Sequence, residues 1–197
     1  MRRQFLSAVC GCGGEFCGLA CRATQSCSCS VVGLTAGAAQ RGGAEGSAVR
    51  EFELRVATAD DRDFLYDLHR RSLGDAIEAT WGPWDDELQR QFHRDWFDPE
   101  QVEIVVIDGR PVGMIQADST ALDTFYISRI EVDPDLQNHG VGTALMQHLV
   151  ERARQSNAQA VELHVLELNR ARELYKRLGF RVVAKEPPKL RMRLALS

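Results

Sequence analysis

Gly140 and Gly142 stand one residue apart in the run Asp133-Pro134-Asp135-Leu136-Gln137-Asn138-His139-Gly140-Val141-Gly142-Thr143. A loop that opens a helix leaves its first amides without intrahelical partners, and the helix dipole adds partial positive charge there. Such a loop seats phosphate oxygens. Neither glycine has a side chain to hold an anion off the backbone, so the chemistry on offer is the cradling of a pyrophosphate. The elements that must position it lie on either side. Phe125 to Val132, rich in β-branched and aromatic residues, predicts a strand, and Val141, Leu145, Leu149 and Ala153 recur at helical spacing along one apolar face.

Two better-known cradles do not fit. A Walker A loop ends in Gly-Lys-Ser/Thr, whereas Gly142 is followed directly by Thr143, and a Rossmann fingerprint places a third glycine where Leu145 stands. What remains, Gln137-x-x-Gly140-x-Gly142, resembles the acetyl-CoA loop of the GNAT superfamily of N-acetyltransferases. Downstream, Asn169, Ala171, Tyr175 and Gly179-Phe180 resemble the same superfamily's second signature. They follow another apolar strand, Ala160 to Leu166, at the distance a crossover helix requires. The two motifs stand in the right order and context.

The resemblance implies an acyl-CoA N-acyltransferase fold in the α/β (α+β) class: a mixed, mostly antiparallel sheet of about six to seven strands with helices on both faces. It implies attack of a primary amine, on a small molecule or a protein, at the thioester carbon of acetyl-CoA, with no metal. Amides near Ile130 and Val132 would bond the pantetheine arm and the thioester oxygen, and those of Asn138, His139, Gly140, Val141, Gly142 and Thr143 the pyrophosphate, with Gln137 opening the loop and Asn169 meeting the cofactor's amide groups. Tyr175 falls where family members protonate the leaving sulfur; a thiol titrates near 8.5 and a tyrosine near 10, so the hydroxyl still holds a proton at a pH where a free thiol has lost its own. It also belongs to a packing stripe with Leu174 and Leu178. Glu131 is the first choice of general base and Glu78 its rival, with Glu78, Trp81 and Arg129 expected on the acceptor side. A non-catalytic acyl-CoA sensor of the same fold is the competing function.

The chain has 197 residues, 44% of them apolar, enough for one domain and an appendage. Residues 1–50 hold all six cysteines and nine of the sixteen glycines, without periodicity, and read as a disordered extension or an over-extended start; 51–197 is the domain. Within the extension, Arg2-Arg3 and Ala36-Gly37-Ala38 are a poor match to an export signal, and the cysteines lack a zinc spacing. From Phe52 onward there is no cysteine, which excludes a thiol nucleophile. A net charge of −4, spread evenly, offers no stripe for nucleic acid, and no apolar run is long enough to cross a membrane. The expectation is a cytoplasmic protein; its oligomeric state is open, a homodimer included.

In chain order, Phe52 to Ala57 predicts a first strand, and Thr58 or Asp60 caps a helix running to about Ser72. Ile77 to Trp84 reads as a turn-rich loop with two tryptophans before a second helix that opens on Asp85-Asp86-Glu87. Val102–Ile107 and Val112–Ala117 form a hairpin through Asp108-Gly109-Arg110-Pro111. Arg181–Ala184 and Arg191–Leu196 close the sheet around Pro187-Pro188. His69, His93, His139, His148 and His164 show no metal pairing.

Overall fold

The computed structural model describes residues 51–120 and 123–196; all readings for 1–50 fall outside them. A seven-stranded sheet runs in the order β1-β2-β3-β4-β5-β7-β6. Its strands are β1 (Glu53–Val56), β2 (Glu103–Ile107), β3 (Arg110–Thr120), β4 (Thr124–Val132), β5 (Ala160–Leu166), β6 (Arg181–Glu186) and β7 (Lys189–Ala195). The helices among the described residues are α1 (Arg62–Trp81), α2 (Asp86–Trp96), α3 (Val141–Gln155) and α4 (Ala171–Arg177). Every neighbouring pair is antiparallel except β4–β5, the pair joined by a crossover through α3. The expected fold is therefore the one found.

Alternation along the strands divides the core between two faces. Ile104 and Met114 pack with Leu65 and Leu68 of α1, while the next residues, Val105 and Ile115, pack with the α3 stripe of Val141, Leu145, Leu149 and Ala153. Asp108 and Gly109 both have positive φ, at 52° and 73°, as the tight β2–β3 hairpin requires.

Two features position the site. The β3–β4 register steps from Gln116↔Arg129 to Ala117↔Ile127, leaving Ser128 as an extra residue in β4. That bulge reverses the alternation. Phe125, Ile127, Ile130 and Val132 all lie toward the α3 core, while Glu131 turns toward α1 and bonds His69 and Ser72. Second, the parallel ladder joins Thr124–Ile127 to Ala160–Leu163 and stops there. Beyond it β4 and β5 splay apart.

The boundary expected for the first helix is corrected. α1 continues past Ser72 to Trp81 and ends on Gly82, whose φ is 95°, so Ile77 to Trp81 is helix rather than loop. The apolar spacing that sustains it is Leu73, Ile77 and Trp81, each four residues from the last. Gly74 costs such a helix about 1 kcal/mol relative to alanine, but the Trp84 ring packs over its bare face. The closing strands also run further than expected, to Glu186 and from Lys189, because they pair up to the Pro187-Pro188 turn.

Candidate active site

The glycine loop leaves the end of β4 through a short 3₁₀ turn, Pro134–Leu136, held by Asp133, whose carboxylate accepts from the Asp135 amide at 3.0 Å. Arg71 of α1 clamps the same carboxylate with two bonds of 2.8 Å and reaches Asp135 at 3.0 Å. A planar guanidinium suits this fork. Gln137 donates back to the Val132 carbonyl at 3.2 Å, and His139 Nδ1 donates to the Gln137 carbonyl at 2.8 Å, so both side chains shape the loop. The first intrahelical bond of α3 runs from the Ala144 amide to the Gly140 carbonyl, leaving the amides of Val141, Gly142 and Thr143 without an intrahelical acceptor. Gly140 takes φ 84°, a conformation a β-carbon disfavours. A β-carbon on Gly142 would lie 3.3 Å from Leu174, so this glycine lets α3 approach α4.

Where β4 and β5 part there is a cleft of about 100 Å³. One wall is a helical stripe of α1, His69, Leu73, Ile77 and Trp81; the floor is β4 from Ile127 to Glu131; the other wall carries His164, Asn169, Tyr175 and Lys189. The cleft thus brings together Ile130, Glu131, Asn169, Tyr175, Trp81 and Arg129. Glu78 is exposed and does not line it. Asn169 accepts from the Ala171 amide at 2.8 Å through Oδ1, which leaves its NH₂ group to donate.

Glu131 is 3% exposed. Its Oε1 lies 3.1 Å from His69 Nδ1, its Oε2 accepts from the Ser72 hydroxyl at 3.3 Å, and Arg129 Nε is 3.8 Å away. Burial alone would raise its pKa; His69, Arg129 and Ser72 outweigh it and hold the carboxyl below its ordinary range. Tyr175 is 6% exposed, and burial pushes its hydroxyl well above the ordinary tyrosine range. It therefore keeps its proton at any physiological pH. The Tyr126 hydroxyl meets His164 Nδ1 at 2.7 Å, and His164 Nε2 meets Glu186 at 3.1 Å.

His69 is the residue the sequence reading passed over. Its spacing of four from Leu73, and so on to Ile77 and Trp81, was the available signal, but it is visible only once the helix is known to extend that far.

The family model for the Acetyltransferase (GNAT) family matches residues 62–180, more than half of the chain. The chain belongs to the GNAT family. It is 28% identical over 144 residues to an uncharacterised N-acetyltransferase of Methanocaldococcus jannaschii, covering 67% of this chain and 62% of that one. It is 36% identical over 81 residues to a probable N-acetyltransferase, camello, of Xenopus tropicalis, covering 40% of this chain and 37% of that one. The matches therefore span less than two thirds of these relatives. Among solved structures, the PaiA N-acetyltransferase of Thermoplasma acidophilum, in complex with coenzyme A, superposes with a TM-score of 0.61 at 17% identity, over 74% of this chain and 99% of that one. That likeness extends the GNAT assignment to the fold. No group of three or more metal-binding side chains occurs among the described residues, and no helix there is long and apolar enough to cross a membrane.

Proposed function

We propose that this GNAT domain transfers the acetyl group of acetyl-CoA to a primary amine, of a small molecule or a protein, by direct attack. One observation carries the reading: at the end of the β4–β5 ladder, a single cleft holds Glu131, Asn169 and Tyr175, and β4 leads from it into the glycine loop. The residues fit the coenzyme. The amides of Val141, Gly142 and Thr143 would take the pyrophosphate, the edge of β4 at Ile130 and Val132 the pantetheine arm, and the NH₂ group of Asn169 one of its carbonyls. The bound thioester supplies the electrophilic carbon. An amide of β4 aimed at its oxygen stabilises the charge that develops there, and the protonated Tyr175 supplies the proton for the leaving sulfur. Glu131 belongs to the side of the cleft that accepts the amine's proton, and Trp81 and Arg129 to the side that receives the acceptor.

Thiol release from acetyl-CoA, followed over a panel of amines, tests this. The parent releases thiol with at least one amine class, and Tyr175→Phe lowers kcat on the order of 10²-fold while coenzyme affinity stays put. Coenzyme binding without turnover on any amine would favour a sensor domain instead.

A further inference from the structure

We infer that His69 is the general base of this reaction, acting through Nε2, with Glu131 as the positioning residue that holds its ring. The inference rests on the acetyltransferase reading above and assigns a role in it to a side chain no motif marks. Glu131 is poorly placed to take a proton from an amine itself. It is buried, and each of its oxygens is engaged, Oε1 by His69 at 3.1 Å and Oε2 by Ser72 at 3.3 Å. Both side chains line the cleft and His69, at 4% exposed, is as buried as Glu131; the difference is that the contacts of His69 with Glu131 and Arg129 both fall on Nδ1, which leaves Nε2 for the amine.

The contact with Glu131 decides which nitrogen is basic. An ionised carboxylate can only accept, so Nδ1 carries the hydrogen and Nε2 the lone pair. Arg129 Nη2 is 3.5 Å from the same Nδ1, a longer contact that would require the opposite tautomer. The Trp84 ring, its centroid 5.9 Å from that of His69, limits the imidazole's rotation. A base oriented by a carboxylate across the cleft from a protonated acid is the arrangement proton transfer needs. The charged and titratable groups facing His69 are Glu131 and Arg129 on β4 and His93 on α2; Tyr175, His164 and Lys189 share its cleft.

The step balances as follows. An ammonium acceptor loses one proton to Nε2, from which it passes to solvent, and the freed nitrogen lone pair forms the N–C bond at the thioester carbon. The C–S bond breaks with its electron pair on sulfur. Tyr175 gives sulfur its proton, and the nitrogen's remaining excess proton restores the tyrosine hydroxyl. The products are the N-acetylated amine, coenzyme A as its thiol and one proton.

Two measurements on the full chain test this. In long-range proton–nitrogen spectra of the labelled protein, the His69 signals, identified by their loss in His69→Gln, report the Nδ1–H tautomer; an Nε2–H tautomer at neutral pH overturns the inference. In kinetics with acetyl-CoA against an alkylamine, a polyamine, an amino-acid amide and a peptide with a free N-terminus, His69→Gln keeps coenzyme affinity by calorimetry and loses about 10²-fold or more in kcat. The parent's loss of rate on the acid side of its pH profile is also absent from the variant. Glu131→Gln, which leaves the imidazole in place, shifts that limb rather than removing it. Unchanged kcat and pH profile in His69→Gln overturn the inference alone, whereas a parent that binds no coenzyme or turns over no amine overturns the acetyltransferase reading with it. If His69→Gln fails to fold, the pH profile of Glu131→Gln decides, and an acid limb identical to the parent's overturns the inference.

Discussion

A β-carbon added at Gly113 would lie 2.6 Å from the Glu131 carbonyl oxygen and 3.4 Å from Val105. Backbone cannot step aside as a flexible side chain can, so β4 must move where it carries Glu131. Gly113→Ala is expected to destabilise the domain by about 1–3 kcal/mol, read as a lowered denaturation midpoint, and to lower turnover further than the stability loss explains. Nothing local in Arg110-Pro111-Val112-Gly113 announces this requirement, because the close approach comes from pairing with residues far along the chain. The loop residues were legible for the opposite reason. Gly140 and Gly142 act through local backbone geometry, which a short motif encodes, whereas the partners of Glu131 on α1 are set by tertiary packing. His69 and Ser72 could be placed only by the structure.

α1 shows how an element can outlast its apparent signal. Its cleft-facing stripe continues through Leu73, Ile77 and Trp81 across a glycine, and the tryptophan of the following turn covers that glycine. The space there is ordinary contact distance, 4.0 Å to the Trp84 ring, and Gly74→Ala is therefore expected to stabilise the protein by about 1 kcal/mol, seen as a raised melting temperature. A lowered one would mean that the helix needs its glycine for shape. β4 carries the other unreadable feature. Its strand character is plain from Phe125 to Val132, but the extra residue at Ser128 is a property of its register against β3. The bulge sets the face to which the following residues turn, placing Glu131 on the α1 side and Ile130 and Val132 on the other.

The whole domain carries two sets of titrating groups whose effects on stability run in different pH windows. Burial lowers the pKa of His93, His148 and His164 in the fold. Their contribution is complete above the unfolded value of about 6.5 and declines as pH drops below it toward their folded values. Asp61 is held below the carboxylate range by the Arg55 fork, and Asp86 is held to about 2, chiefly by the Tyr66 hydroxyl. What these carboxylates contribute is present above the unfolded value of about 3.9 and is lost as pH falls through their folded values. Denaturant midpoints across pH should thus show a shallow loss starting near pH 6.5 and a steeper one below about pH 4; a flat profile down to pH 3 would contradict the assignment of these groups. The sheet's strand content and its one crossover were legible from alternation and motif order. The splay of β4 from β5 opens the cleft that holds Asn169 and Tyr175 of the second motif, β4 runs from that cleft into the glycine loop, and on this arrangement the functional account depends. Calorimetric titration of the full chain with coenzyme A, and separately with pantetheine, which lacks the pyrophosphate, tests that dependence most directly. The account predicts one equivalent of coenzyme bound and a clear loss of affinity for pantetheine; a folded protein that takes up no coenzyme, or that binds the two alike, would contradict it.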